Sequence, residues 1–227
     1  IVANASTDNY NAGEIAADEG YKAAIKERIE NASEPVRIGV ITQDATSESI
    51  VQRGLGFIDK IAKLCEDDGK TVTISGNDKY VSDSKVEKAD NADVIIDVAV
   101  PAQVTSELSS LDVQTMLNKK DTIAIFGTNQ HSSEGMVTGN ENLNKFGPDD
   151  DQVIAIGFDS SEVINNAVKS GEFIGAITQA PVKIGETVVE LCVKTANGED
   201  VSDVDTGCQW FTADNMEDKE IAENLIE

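Results

Sequence analysis

Aromatic side chains are scarce in this chain of 227 residues, making up 4% of it, so any ligand platform of stacked rings must be built from few residues. There is a single histidine, His131, beside Gln130 and Ser132, with no metal-ligating partner at a usable spacing. The cysteines, Cys65, Cys192 and Cys208, are odd in number and show no CxxC spacing. That excludes a complete set of internal disulfides, makes a zinc cluster a poor fit and predicts buried thiols. No apolar run approaches the roughly 18 residues of a membrane-spanning helix. Neither a GxSxG elbow nor a P-loop pattern occurs. The GLG at Gly54–Gly56 lies inside a helical pattern rather than after a strand, so it fails as a dinucleotide fingerprint. DDGKTVTISGND opens like a calcium loop at Asp67 and Gly69, but its later positions are wrong. With no nucleophile, metal set or cofactor loop in context, no enzyme activity, metal or cofactor is expected.

Acid is what the chain has in excess. Its 42 Asp and Glu against 18 Lys and Arg leave a net charge of −24. Such a charge repels nucleic-acid phosphates and anionic membrane surfaces, so no nucleic-acid partner is expected. At 40% hydrophobic residues the chain is globular, with length for one large domain or two small ones. It opens on Ile1 without a recognisable leader, and the expectation is a processed product or a fragment.

Short apolar runs alternate with helical patterns along most of the chain. Helical spacing is found over 9–29, 48–65, 103–117, 132–146, 160–171 and 181–198. Strands are expected at VRIGVIT (36–42), VIIDVAV (94–100), TIAIFG (122–127), VIAIGF (153–158) and FIGAIT (173–178). Residues 66–93 are harder to read: turns surround a short strand, and VSDSKVEKADNAD has a polar, helix-compatible pattern. The strand runs do not alternate, so both sheet faces should be covered. The fold class is therefore α/β, a doubly wound parallel sheet.

In such a sheet, ligands bind outside the carboxyl ends of the strands. That rule selects Gln43, Asp44, Gln103, Asn129, Gln130, Asp159 and Gln179. Amides and carboxylates at fixed positions suit a small polyhydroxylated ligand, whose hydroxyls each need a partner once buried. Helix capping is the competing explanation, strongest for Ser160, Ser161 and Asp44 and open for Asp159. Asn129 and Gln179 directly follow apolar strands and are less easily read as caps.

The ordered stretches STDNYNAGEIAA (6–17), QRGLGF (52–57), AIFGTNQHSSEG (124–135), IAIGFDSSEVINNAVKSG (154–171) and ITQAPVKIGETVVE (177–190) carry a resemblance. They resemble the type I periplasmic-binding-protein-like family of sugar ABC-transporter substrate-binding proteins, of the ribose-binding type. The resemblance implies a C-terminal ligand-binding lobe over 1–177 and a segment, 178–203, that crosses to the N-terminal lobe. A returning strand and tail follow over 204–227. Most of the N-terminal lobe would then be missing from this sequence. The apolar set from Val182 to Val193 would need that lobe, or a partner chain, to cover it.

The resemblance also carries ligand roles to Asn129, Asp159 and Gln179. The family's sugar-clamping arginine falls on Val51, while Arg53 matches a neighbouring arginine that is usually structural. Its stacking aromatic falls on Gln103, and Gln130 stands where some subgroups have an acid. These departures weigh against ribose itself and leave a polar small-molecule site. The 66–93 segment is longer than the family's usual connection, as a surface elaboration would be. The implied function is an extracellular or periplasmic solute-binding component, lipoprotein-anchored or free, that passes a small sugar or polyol to an ABC permease. The alternative is the ligand-sensing domain of a LacI-type transcription regulator.

Overall fold

The apolar runs without alternation become the strands of one sheet. The computed structural model describes residues 1–226. β1 (Ala5–Ser6) leads into α1 (Asn9–Gly20), a π-helical turn at Tyr21–Ile25, and α2 (Lys26–Asn31). Next come β2 (Val36–Ile41), α3 (Glu48–Asp67), β3 (Val72–Gly76), α4 (Asp78–Asp83), β4 (Val94–Ala99) and α5 (Ser106–Leu117). They are followed by β5 (Thr122–Gly127), α6 (Gln130–Asn140), β6 (Ile154–Phe158), α7 (Glu162–Lys169), β7 (Gly175–Gln179) and α8 (Pro181–Ala196). β8 (Val204–Asp205), β9 (Cys208–Phe211) and α9 (Lys219–Ala222) complete the described chain.

Seven strands form a sheet in the order β3-β4-β2-β5-β6-β7-β9, parallel except for β9, which runs antiparallel to β7. β1 and β8 make a separate parallel pair. Successive residues of a strand feed opposite cores. Ile38, Val40, Phe126, Ile154, Ile156 and Phe158 join the layer that contains α1 and α3. Ile41, Ile125, Ala155 and Ala176 join Val113, Met136, Ile164 and Val168 of α5, α6 and α7. Coverage of both faces is the reason the runs read as continuous rather than alternating.

Close approach between α1 and α3 depends on paired glycines. A Cβ on Gly13 would lie 2.1 Å from the Arg53 carbonyl oxygen, and one on Gly56 would lie 2.0 Å from that of Tyr10. The GLG stretch therefore serves helix packing, and it brings Arg53 beside the start of α1.

Four sequence expectations need correction. The first helix is interrupted by the π-helical turn. The helix expected from 103 begins at Ser106, because Thr105 is extended and caps it by accepting the Leu108 N–H. Residues 66–93 hold the expected short strand, which joins the sheet edge as β3 rather than forming a surface elaboration, and the helical reading of 81–93 fails because α4 stops at Asp83. The irregular stretch beyond it is pinned by buried Val86, by the Lys85 N–H donating to Asp59, and by the Ala89 N–H donating to Thr73. Finally, only Cys65 is a buried thiol; Cys208 is half-buried and Cys192 is exposed on α8, which has no buried residue at all.

Candidate functional site

The carboxyl ends of β2, β5, β6 and β7 carry a connected polar surface, and Asp159 is its centre. Directly after β6 the chain turns through a left-handed residue, Asp159 at φ +69°. Asp tolerates this conformation better than most residues, and strain of this kind gathers at functional positions. Asp159 Oδ1 accepts from Gln179 Nε2 at 2.5 Å, and Oδ2 accepts from the Gln130 backbone N–H at 3.1 Å and from Arg53 Nη1 at 3.5 Å. Asp159 does not cap α7; Ser161 does, accepting the Ile164 N–H.

Arg53 lies beneath this carboxylate with its side chain 8% exposed, its guanidinium 4.1 Å from the Phe158 ring centroid. Burial pulls the guanidinium below its ordinary pKa, and the Asp159 charge opposes that pull. Arg53 Nε donates to Asn9 Oδ1 at 2.8 Å, and Asn9 Nδ2 donates to the Thr7 carbonyl at 3.0 Å. The Thr7 hydroxyl lies 3.2 Å from Gln179 Oε1, which closes a ring through Gln179, Asp159, Arg53 and Asn9. Each buried polar group in the ring thus has a partner, as burial requires.

Asn129 belongs to a second group and does two jobs. It caps α6: its Oδ1 accepts from the Ser132 N–H and hydroxyl, and Ser132 Oγ accepts the Asn129 N–H in return. Its position directly after an apolar strand had argued against capping, but the Ser three residues on completes a capping box. Asn129 Nδ2 also donates to Gln43 Oε1 at 2.8 Å, and Gln43 Nε2 donates to Asp44 Oδ2 at 3.2 Å. Asp44 Oδ1 accepts from the Ser47 and Thr46 N–H groups at 2.6 and 2.7 Å, ahead of α3. Partial burial pushes the Asp44 carboxyl upward, but these N–H groups, the Thr46 hydroxyl and the Gln43 amide outweigh it and hold the carboxyl below its ordinary range.

Two of the sequence-selected side chains stand apart. Gln130 contributes its backbone N–H to Asp159, while its side chain donates along α6 to Glu134. Gln103 is exposed in the loop after β4, and its side chain joins neither hydrogen-bonded group. Val51 is buried in the α1–α3 core layer and presents no charge to the site. His131 sits half-buried in the first turn of α6.

Thr7, Asn9 and Arg53 were not selected from the sequence as site residues. Asn9 and Arg53 are 44 residues apart and meet only because Gly13 and Gly56 let α1 and α3 touch. Glycines on two neighbouring amphipathic helices were the available signal.

A recess of about 250 Å³ opens beside Gln130, Asp159 and Gln179, with Pro181, Ile184 and Ile226 on its other side. A larger recess, about 580 Å³, lies at the opposite, amino-terminal ends of β6 and β7, between Asn140, Gly147 and Glu172. The smaller one is the better candidate, because it adjoins convergent polar groups at the ligand-binding edge of a parallel sheet. After the internal bonds, Gln43, Asn129 and Gln179 each keep one amide hydrogen, and Asp159 keeps acceptor capacity on Oδ1.

The model of the periplasmic binding protein domain matches residues 1–200. This chain belongs to that family. Among solved structures it is similar to one from Brachyspira murdochii described as "ABC transporter, LacI family transcriptional regulator". That likeness has 26% identity and a TM-score of 0.79, covering 100% of this chain and 67% of the other. A carbohydrate-transporter solute-binding protein from Agrobacterium radiobacter, in complex with D-arabinose, is 26% identical with a TM-score of 0.72, covering 99% of this chain and 66% of that one. An ABC-transporter solute-binding protein from Agrobacterium vitis with bound D-fucose, at 23% identity and a TM-score of 0.71, shares the fold over 98% of this chain and 64% of its own. The chain thus spans about two thirds of the length of these proteins. A search of curated proteins finds no match.

Proposed function

We propose that this chain binds a small neutral sugar or polyol at the carboxyl ends of β2, β5, β6 and β7, as the solute-binding component of an ABC transporter. The observation that carries the reading is the polar surface itself, where unspent amide hydrogens of Gln43, Asn129 and Gln179 stand near a carboxylate already neutralised from below by Arg53. Hydroxyls both donate and accept, and such a surface offers them both kinds of partner. An acidic ligand would face Asp44 and Asp159, with the Arg53 guanidinium committed behind Asp159. The bound D-arabinose of the Agrobacterium radiobacter relative supports the same class of ligand.

On this reading residues 1–177 form the ligand-binding lobe, 178–203 cross to a second lobe, and the segment from 204 returns; Glu227 lies outside the described residues. The exposed apolar face of α8, with Val182, Val189 and Val193 more than half exposed, is then the surface on which the second lobe rests. The ligand is clamped between lobes and handed to a permease, and no bond is made or broken. An extracellular or periplasmic location, with or without a lipid anchor, belongs to the same reading. The ligand-sensing domain of a LacI-type regulator is the second reading, favoured by the words attached to the Brachyspira murdochii structure. A helix-turn-helix in the upstream coding sequence selects it, and a signal peptide or lipobox selects the transporter.

Calorimetry tests the binding claim. With a panel of D-arabinose, D-fucose, myo-inositol and a sugar acid, the neutral ligands should bind this lobe weakly and the acid should not bind. Asp159→Ala should weaken the best neutral ligand about tenfold or more, the scale of a lost hydrogen bond to a charged group, and Gln179→Ala about fivefold, the scale of a neutral one. Preference for the acid would refute the neutral-ligand reading, and micromolar affinity for any sugar would refute the two-lobe clamp.

A further inference from the structure

The hydrogen-bonded ring around Asp159 includes one hydroxyl that has two acceptors for its single hydrogen. Thr7 Oγ1 lies 3.2 Å from Gln179 Oε1 and 3.1 Å from the Gly207 carbonyl oxygen. A threonine hydroxyl can donate to only one of them at a time. Thr7 is 3% exposed, so solvent does not compete for this hydroxyl.

The two acceptors belong to different parts of the molecule. Gln179 ends β7 and holds Asp159 through its other amide atom. Gly207, in the left-handed region at φ +80°, is the bend between β8, which pairs with β1, and β9, which pairs with β7. That bend is firmly tied: Asp205 Oδ1 accepts both the Gly207 and the Asp8 N–H, and the Thr206 N–H donates to the Ser6 carbonyl. Thr7 is where this junction reaches the polar site.

We propose that Thr7 is a positioning residue for the site and its link to the β1–β8 pair. While the site is empty, the Thr7 hydroxyl donates to Gln179 Oε1 and keeps the amide nitrogen facing Asp159. A ligand hydroxyl that donates to the second lone pair of Gln179 Oε1 competes for that oxygen's charge and draws the amide toward the ligand, and the Thr7 hydroxyl then favours the Gly207 carbonyl. Occupancy is thereby registered at the junction of the two connecting strands. This inference rests on the sugar or polyol reading of the site. It adds a residue that touches no ligand.

Two substitutions separate the hydroxyl from the shape of the side chain. Thr7→Val keeps the shape and loses the hydroxyl, whereas Thr7→Ser keeps the hydroxyl; Thr7→Ala replaces the valine variant if that folds poorly. The first measurement uses the ¹⁵N-labelled chain without ligand. It follows the Gln179 side-chain amide and the backbone amide of Cys208, whose peptide includes the Gly207 carbonyl. The Gln179 side-chain amide should move in Thr7→Val and return in Thr7→Ser, while the Cys208 amide, not yet engaged in the empty site, should move less. An unmoved Gln179 side-chain amide in Thr7→Val would overturn the positioning role, whatever the ligand proves to be.

The second measurement adds D-arabinose. In the parent chain the Cys208 amide should titrate along the same curve as the Gln179 side chain. In Thr7→Val the Cys208 response should vanish and affinity should fall about fivefold, the worth of one neutral hydrogen bond, while Thr7→Ser stays within about twofold. A Cys208 response that survives in Thr7→Val overturns the link. If D-arabinose and the other neutral ligands leave Gln179 unmoved in the parent chain, the functional reading fails and the link fails with it, while the ligand-free comparison still decides the positioning role.

Discussion

Helices α3 and α8 both carry many apolar residues, and they end up in opposite surroundings. Phe57, Ile58 and Ile61 of α3 are fully buried between α1 and the sheet, whereas α8 buries nothing and leaves Val182, Val189 and Val193 in solvent. Their starts differ as well. Neither has a side-chain cap, but the turn leading into α3 is tied by Asp44, whose carboxylate accepts the Ser47 and Thr46 N–H groups, while α8 follows Ala180 with Pro181 in its first turn. An apolar helical face specifies burial only where a complementary surface exists. For α3 the glycine-lined face of α1 is that surface. For α8 the described residues offer chiefly the short β1 and an apolar groove beside Ile1, Val2, Leu191 and Cys192.

The contrast can be broken most forcefully in α3. Phe57 is stacked on Phe126 at a centroid distance of 4.3 Å. Phe57→Ala should cost about 3–5 kcal/mol of stability, as large-to-small changes of buried aromatics do, measured by urea unfolding. A loss comparable to that of a surface substitution would mean that the α1–α3 layer is not the core.

A smaller effect is expected at the start of α3. Asp44→Asn keeps an acceptor oxygen and loses the charge, and should cost about 1 kcal/mol at neutral pH, the difference between a charge-assisted and a neutral hydrogen bond. The pH dependence has a definite sign. The folded carboxyl is held below its ordinary range, so its contribution is complete above the unfolded pKa and is lost as pH falls through the folded one. Parent and variant should therefore converge in acid, and a gap that widened there would contradict the assignment.

The smallest effect is predicted on α8. Val189, 62% exposed, should tolerate Val189→Ser within about 0.5 kcal/mol in this chain. A cost of several kcal/mol would show that the face is already covered, for example by a second copy, and the result should then depend on protein concentration.

The same contrast explains what could be read in advance. Runs such as VIAIGF are strands with both faces covered, and local composition is enough to reveal them. β3 was obscure because it is a short edge strand with a half-exposed pattern, and the stretch after α4 is held by tertiary bonds to Asp59 and Thr73. At the candidate site, the strand-end rule picks out Asn129, Asp159 and Gln179, because in a parallel sheet position alone selects them. It could not show that Asn129 is also a cap, that Gln103 stands apart, or that Arg53 lies under Asp159. Those facts depend on how α1, α3 and the loops pack.

Titrating D-arabinose into the ¹⁵N-labelled chain and mapping the response by residue tests the central claim most directly. The side-chain amides of Gln43, Asn129 and Gln179 and the Gln130 backbone amide should shift together, while Gly147 and Gly171, beside the larger recess at the far end of the sheet, should not. Shifts confined to Gly147 and Gly171 would place the ligand at the wrong end of the strands and contradict the account.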